Sequence, residues 1–481
     1  MHPRLRLALA TATTVALTGG LLTAVAGPAA AAPLAASDAD FNDDGYADVA
    51  VSASAATVAG HAAAGQIVVI YGGRSTTRKV AISQNTAGVP GSAEKEDRFG
   101  GDTAYGDFDK DGYDDLAVGA LGEDLGSDKD GGTVIILWGS ASGLKGGSTV
   151  VDPRPTKHDR FGRALEAADF DKDGRVDLAI ASRDSATVDV LRGGFNRSAK
   201  PAGRYTVTPA IFDGAGDGVQ NLHSGDANGD GREDLIVNGY SKSDGYNANY
   251  WLPGSSRGAT TSGAQKLPAG IITDIGDTNH DGFQDIVFGI NWDSGISGSA
   301  LGGRVMIAKG TRSGPAHGQR QSFTQNTPGV PGGSEKADSF GTELDLGDVN
   351  GDKRLDLVIG APGEDLSGGK DQGTVTVLYG AANGSGISTV GARSFSQNTP
   401  GVPNSDETGD FFGSDVHVDD LDGDGRGDVL VGAVGEDGGN GAVYALRSQT
   451  NGTFTSPAGI YVTSVGVSTA GSPRLGNNFS D

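Results

Sequence analysis

Seven short stretches of this chain place oxygen-bearing side chains at a spacing that suits a hard cation. In the second of them, Asp107, Asp109, Asp111 and Asp115 hold positions 1, 3, 5 and 9 of a nine-residue segment whose sixth residue is Gly112. Side chains so spaced can converge on Ca²⁺, and the carbonyl of position 7, here Tyr113, completes the set. The first copy offers Asp40, Asn42, Asp44, Tyr46 and Asp48, and the third Asp169, Asp171, Asp173, Arg175 and Asp177. The fourth offers Asp226, Asn228, Asp230, Arg232 and Asp234, and the fifth Asp277, Asn279, Asp281, Phe283 and Asp285. Asp348, Asn350, Asp352, Arg354 and Asp356 form the sixth; Asp420, Asp422, Asp424, Arg426 and Asp428 form the seventh. A simple turn asks for Asp and Gly at one or two places, not four. Up to seven Ca²⁺ ions are therefore expected.

Position 12 is apolar in every copy, as at Val51, Val118 and Phe288. This excludes the EF-hand, which needs a bidentate Glu there and a helix afterwards. The segment after each loop is short and rich in β-branched residues, as in Leu357-Val358-Ile359, so each loop is expected to turn one strand into the next. Lys353 replaces Gly at position 6 of the sixth loop. A side chain in a left-handed turn costs on the order of 1 kcal/mol, and the added positive charge makes this the weakest expected site.

The elements that position these loops recur with them. The loops occupy residues 40–48, 107–115, 169–177, 226–234, 277–285, 348–356 and 420–428, a period suited to one four-stranded sheet per repeat. Phe-Gly pairs stand eight residues ahead of four loops, at Phe99, Phe161, Phe340 and Phe412. A further apolar run comes after each second strand, as at Ile67 to Tyr71 and Val375 to Tyr379. Near-identical connectors then begin at Gln84, Gln325 and Gln397. The expected fold is all-β: a seven-bladed β-propeller of four-stranded antiparallel blades, with the calcium loop between strands 1 and 2 of each. Residues 32–481 would form this single domain.

The Phe-Gly pairs, the acidic loops and the later Gly360-Ala361-Pro362 (weaker as Gly119-Ala120-Leu121 and Gly432-Ala433-Val434) resemble the FG-GAP repeat of integrin α-chain N-terminal propellers and their bacterial relatives. The resemblance is strongest in blades 2, 6 and 7. Blades 4 and 5 lack Phe-Gly, and blades 3 to 5 lack Gly-Ala-Pro. It implies ligand contact on the face opposite the calcium loops. Glu123-Asp124, Glu364-Asp365 and Glu436-Asp437 fall there and are expected to be solvated turns. Blade 1 lacks its own Phe-Gly, whereas Pro473-Arg474-Leu475-Gly476 resembles Asp97-Arg98-Phe99-Gly100. The tail is thus a candidate for the seam between blades 7 and 1, which a propeller must close to remove free sheet edges.

Met1 to Ala31 reads as a secretory signal: Arg4 and Arg6, an apolar run from Leu7 to Ala26, and small residues after Pro28. No later stretch has the roughly 20 apolar residues of a membrane span. A secreted, extracellular protein without membrane insertion is expected. The chain has no cysteine and a formal charge of −24. Disulfides and thiolate zinc sites are excluded, and nucleic acid is disfavoured by charge.

Signals for catalysis are nearly absent. There is no Gly-x-Ser-x-Gly elbow, no His-Glu-x-x-His and no phosphate-binding Gly-Lys-Ser/Thr loop. Arg426-Gly427-Asp428 spells an integrin-recognised tripeptide, but Asp428 is already assigned to a metal loop. Tyr240, Tyr246, Tyr250, Trp251 and Trp292 could stack on sugar rings or pack blade against blade. The function expected is a monomeric, non-catalytic binding or cell-adhesion-type module for an extracellular protein or glycan. The alternative is an extracellular propeller hydrolase or polysaccharide lyase.

Overall fold

The computed structural model describes residues 39–74, 78–155, 157–214, 218–318, 320–450, 452–455 and 459–480. The segment read as a secretory signal lies outside the described residues. Seven antiparallel sheets succeed one another along the chain. Blade 2 is typical: Phe99–Gly106, Asp115–Ala120, Thr133–Leu137 and Gly147–Val150 pair in sequence order. Blades 3 to 6 repeat the pattern, with second strands Asp177–Arg183, Asp234–Tyr240, Asp285–Ile290 and Asp356–Ala361. In blade 7 the fourth strand is split into Phe454–Thr455 and Gly459–Tyr461, both paired with Ala442–Ser448.

Second strands are buried along their whole length in blades 1, 2, 5, 6 and 7, and up to the last residue, Arg183 or Tyr240, in blades 3 and 4, because each is covered on both faces by neighbouring blades. The apolar residues accordingly gather between blades. Ile67, Phe99 and Leu116 join blades 1 and 2, Val358, Phe412 and Val429 join blades 6 and 7, and Val51, Leu430 and Leu475 join blades 7 and 1. Each fully buried Phe of a Phe-Gly pair contributes about 2 kcal/mol to such a junction.

Among the described residues blade 1 supplies three strands of its own, Asp48–Ala53, Gln66–Tyr71 and Arg78–Ile82. The inner, first-strand place is taken by residues 476–480. Ser52 donates its N–H to Asn478 O at 2.7 Å, Ser480 donates to Ala50 O at 2.9 Å, and Val51 bridges Phe479 antiparallel. Leu475 stands where the Phe of the motif stands elsewhere. It donates to Asn440 O at 3.0 Å, as Phe99 does to Ala64 O at 3.0 Å and Phe412 to Gln372 O at 3.0 Å. The residue before it is left-handed too, at Arg474, Arg98 and Phe411 (φ 54, 55 and 55°). The seam expected at the tail is present.

The motif glycines are explained by close approach. A Cβ on Gly360 would meet the carbonyl oxygen of Gly413 in the next blade at 2.2 Å, and one on Gly119 would meet that of Gly162 at 2.4 Å. The Gly of Gly-Ala-Pro therefore makes room for the Gly of the next Phe-Gly. Blade 1 has Ser52 at the corresponding position, and its hydroxyl donates to Gly100 O at 2.6 Å.

Candidate metal-binding loops

All seven loops are built to one plan. The position 1 carboxylate accepts two backbone amides, those of positions 5 and 6: Asp107 receives Asp111 and Gly112, each at 3.0 Å. The same pair of contacts folds the other six loops. Positions 4 and 6 are both left-handed, as at Lys110 (φ 63°) and Gly112 (φ 92°). Lys353 adopts this backbone as well, at φ 64°. The left-handed fourth residue was not singled out from sequence, although Gly229, Gly351 and Gly423 at that position are a signal for it. Position 7 donates its N–H to the position 5 carboxylate at Tyr46, Tyr113, Arg232, Phe283, Arg354 and Arg426.

The position 9 aspartates do more than sequence spacing indicates. One oxygen of each accepts an amide at the end of the third strand: Gly72, Gly139, Gly193, Gly254, Gly310, Gly380 and Ser448, at 2.7 to 3.0 Å. In the first, second, fourth and sixth loops the other oxygen accepts the amide of position 2. These carboxylates tie each loop to its own blade. Burial pushes them up, Asp48, Asp177, Asp234 and Asp428 to about 7, Asp115 and Asp356 to about 8, and Asp285 to about 6.

Position 3 divides the loops into two designs. Asn42, Asn228, Asn279 and Asn350 donate their side-chain amides to the position 9 carboxylate. Asp109, Asp171 and Asp422 cannot do so, and each meets an arginine instead: Arg197, Arg192 and Arg447. In these three loops carboxylates crowd together. Asp107, Asp109 and Asp115 bring oxygens within 4.8 Å of one another, as do Asp169, Asp171 and Asp173, and Asp420, Asp422 and Asp424. Buried oxygens of Asp109, Asp177, Asp422 and Asp428 have no hydrogen-bond partner. Closely spaced acceptors with orphaned buried oxygens fit a divalent cation, which supplies the missing positive charge.

Carboxylates on the inner strands serve the frame. Asp102 accepts the N–H of Leu165 at 2.8 Å, Asp345 that of Val418 at 2.7 Å and Asp415 that of Phe479 at 2.8 Å, each from one blade to the next. They satisfy amides that an inner edge strand leaves unpaired.

The Glu-Asp turns depart from expectation. Their glutamates, half-buried at Glu123 and Glu364 and buried at Glu436, bind the connector glutamine of the preceding blade: Gln84 donates to Glu123 at 2.6 Å, Gln325 to Glu364, and Gln397 to Glu436 at 2.5 Å. The near-identical connectors are thereby explained as blade-to-blade ties. Of the aromatic residues, Tyr250 and Trp251 are buried packing groups, with Trp251 Nε1 donating to Asp234 at 2.8 Å, while Tyr240 is exposed. Asp428 is 1 % exposed and Arg426 pairs with Asp424, so the Arg-Gly-Asp tripeptide is not displayed for recognition.

These features define a seven-bladed propeller whose blades are joined by glycine-mediated close contacts and each carry an acidic hairpin loop. The chain carries FG-GAP repeats, which match residues 34–70, 99–137, 340–378 and 412–446, and an FG-GAP-like repeat, which matches 169–237. It is similar to phosphatidylinositol-glycan-specific phospholipase D of Mus musculus, 34% identical over 145 residues, covering 30% of this chain and 17% of that protein. It is also similar to integrin alpha pat-2 of Caenorhabditis briggsae, 30% identical over 252 residues, covering 46% of this chain and 20% of the relative. The chain thus matches a fifth or less of these relatives. A solved lectin from Agrocybe aegerita, described as recognising non-reducing terminal N-acetylglucosamine, aligns over 90% of this chain and 94% of its own at 16% identity and a TM-score of 0.48.

Proposed function

We propose that this protein is exported, loads calcium in its hairpin loops and acts as a binding module, of the cell-adhesion type, for an extracellular protein or glycan. The observation that carries the calcium reading is the set of buried position 9 carboxylates beside crowded acidic neighbours, with oxygens of Asp177 and Asp428 left without a partner. Asp40, Asp107, Asp169, Asp226, Asp277, Asp348 and Asp420 would be the first ligand of each site. Similarity to an integrin α chain supports the binding role. No helix among the described residues is long and apolar enough to cross a membrane.

A second reading is an extracellular propeller hydrolase or polysaccharide lyase, to which the similarity to a phosphatidylinositol-glycan-specific phospholipase D lends support. The two part on one experiment. The purified protein, loaded with calcium, is screened against glycan arrays, cell-wall material and extracellular matrix proteins for retention, and the supernatants are analysed for released reducing ends, unsaturated sugars or phosphorylated products. Saturable retention without product supports the binding module; calcium-dependent product release replaces it with the enzyme.

A further inference from the structure

We propose that Arg192, Arg197 and Arg447 are internal counter-ions that hold the third carboxylate of three metal loops and compete with calcium there, so that loading those loops loosens contacts between blades. The proposal rests on the calcium reading above and concerns how those sites are regulated.

The identity of position 3 and the presence of an arginine go together. Among the described residues, the loops with Asp109, Asp171 and Asp422 each have an arginine from outside the loop on that carboxylate. The loops with Asn42, Asn228, Asn279 and Asn350 instead turn the asparagine amide onto the position 9 carboxylate. Counted over positions 1, 3, 5 and 9, an Asn loop carries three carboxylates, and an Asp loop carries four and one guanidinium. At position 3 itself the two designs are both neutral, one through an uncharged amide and the other through a carboxylate with a borrowed cation.

The borrowed cations also serve the frame. Arg192 and Arg447 stand at equivalent places, each one residue before the amide that holds the position 9 carboxylate, at Gly193 and Ser448. From there Arg447 donates to the carbonyls of Gly73 and Arg74 in blade 1, both at 3.2 Å, across the seam that closes the ring. Arg192 donates to Arg257 O beyond its own blade. Arg197 reaches back from blade 3 to the loop of blade 2 and lies over the Trp138 ring at 4.9 Å. A divalent ion bound to Asp422 would repel the guanidinium that now pairs with it at 3.1 Å. Among the described residues the Asn loops have no such arginine borrowed from another element; Arg232 and Arg354, which pair with Asp230 and Asp352 at position 5, belong to the loops themselves. Loops 2, 3 and 7 are therefore the ones in which metal occupancy and blade contact are coupled.

The test compares wild type with Arg447→Gln and with Asp422→Asn/Arg447→Gln. Calcium uptake is followed by titration calorimetry and thermal unfolding is measured in chelator and in calcium. Arg447→Gln is expected to tighten one calcium site roughly tenfold and to lower the melting temperature in chelator more than in calcium. The double variant, which recreates the Asn design, is expected to regain part of the stability lost in chelator. Unchanged or weaker calcium affinity in Arg447→Gln, or a double variant no more stable than the single one, overturns the proposal. Should Arg447→Gln fail to fold, Arg192→Gln with Asp171→Asn provides the same comparison. If wild type takes up no calcium, the calcium reading itself fails, and the rescue in chelator still decides whether the arginine acts as the loop's counter-ion.

Discussion

Phe479 donates its backbone N–H to the carboxylate of Asp415 at 2.8 Å, across 64 residues of sequence. The contact repeats what Leu165 does with Asp102 and Val418 with Asp345, so the last residues of the chain occupy an inner-strand place like any other. Phe479 and Leu475 are buried, at 2 % and 0 % exposure.

Removing residues 472–481 would therefore open blade 1 along its inner edge. Two large apolar side chains return to water and several hydrogen bonds are lost, a cost of about 5 kcal/mol. Differential scanning calorimetry should show the melting temperature falling by several degrees, and light scattering should report association through the exposed edge. A truncated chain that melts with the full-length protein would mean that the tail adds nothing to closure.

The glycines of the two motifs should be intolerant in proportion to how closely backbone approaches them. Gly360→Ala places a methyl group 2.2 Å from Gly413 O, which cannot move without shifting the next blade. The expected loss is about 2 to 3 kcal/mol in urea unfolding. Ser52→Gly should cost only about 1 kcal/mol, since it gives up one hydrogen bond at a position already compatible with the approach.

Calcium removal should destabilise the whole ring rather than one loop. At millimolar calcium each extracellular-type site adds roughly 1 kcal/mol, and up to seven sites act together. Titration calorimetry should count several equivalents, and the melting temperature in chelator should lie well below that in calcium. Identical melts in both conditions would dismiss the metal role of all seven loops.

Glu364 gives a pH prediction that is independent of metal. Burial raises its carboxyl from 4.5 to about 7. A folded value above the unfolded one means that folding favours the protonated form: the stabilisation is complete below about pH 4.5 and is lost as pH rises through about 7. Glu364→Gln removes this titration and keeps an acceptor for Gln325. The variant should gain about 1 kcal/mol over wild type at pH 8 and show no such gain at pH 4. Unfolding curves at both pH values check it, and an equal effect at the two would sink the assignment.

Much of this was legible in the sequence because each blade repeats the same local problem. A loop that turns between two strands depends on its own nine residues, and Asp, Gly and spacing are local quantities, so seven loops, their strands and the propeller can be read from them. The seam could be anticipated because Arg474-Leu475-Gly476 repeats the pattern of Arg98-Phe99-Gly100. Spacing could not reveal contacts between residues distant in sequence. That Glu123, Glu364 and Glu436 are bound by glutamines 39 residues earlier depends on how adjacent blades stack. So does the reason for the motif glycines, since the carbonyl of Gly413 approaches Gly360 only when two blades are in place. The arginines on Asp109, Asp171 and Asp422 belong to the same class. Hydrogen-bond spacing along a chain specifies turns and strands, but the pairing of charges across blades is set by packing in three dimensions, and only the folded ring determines it.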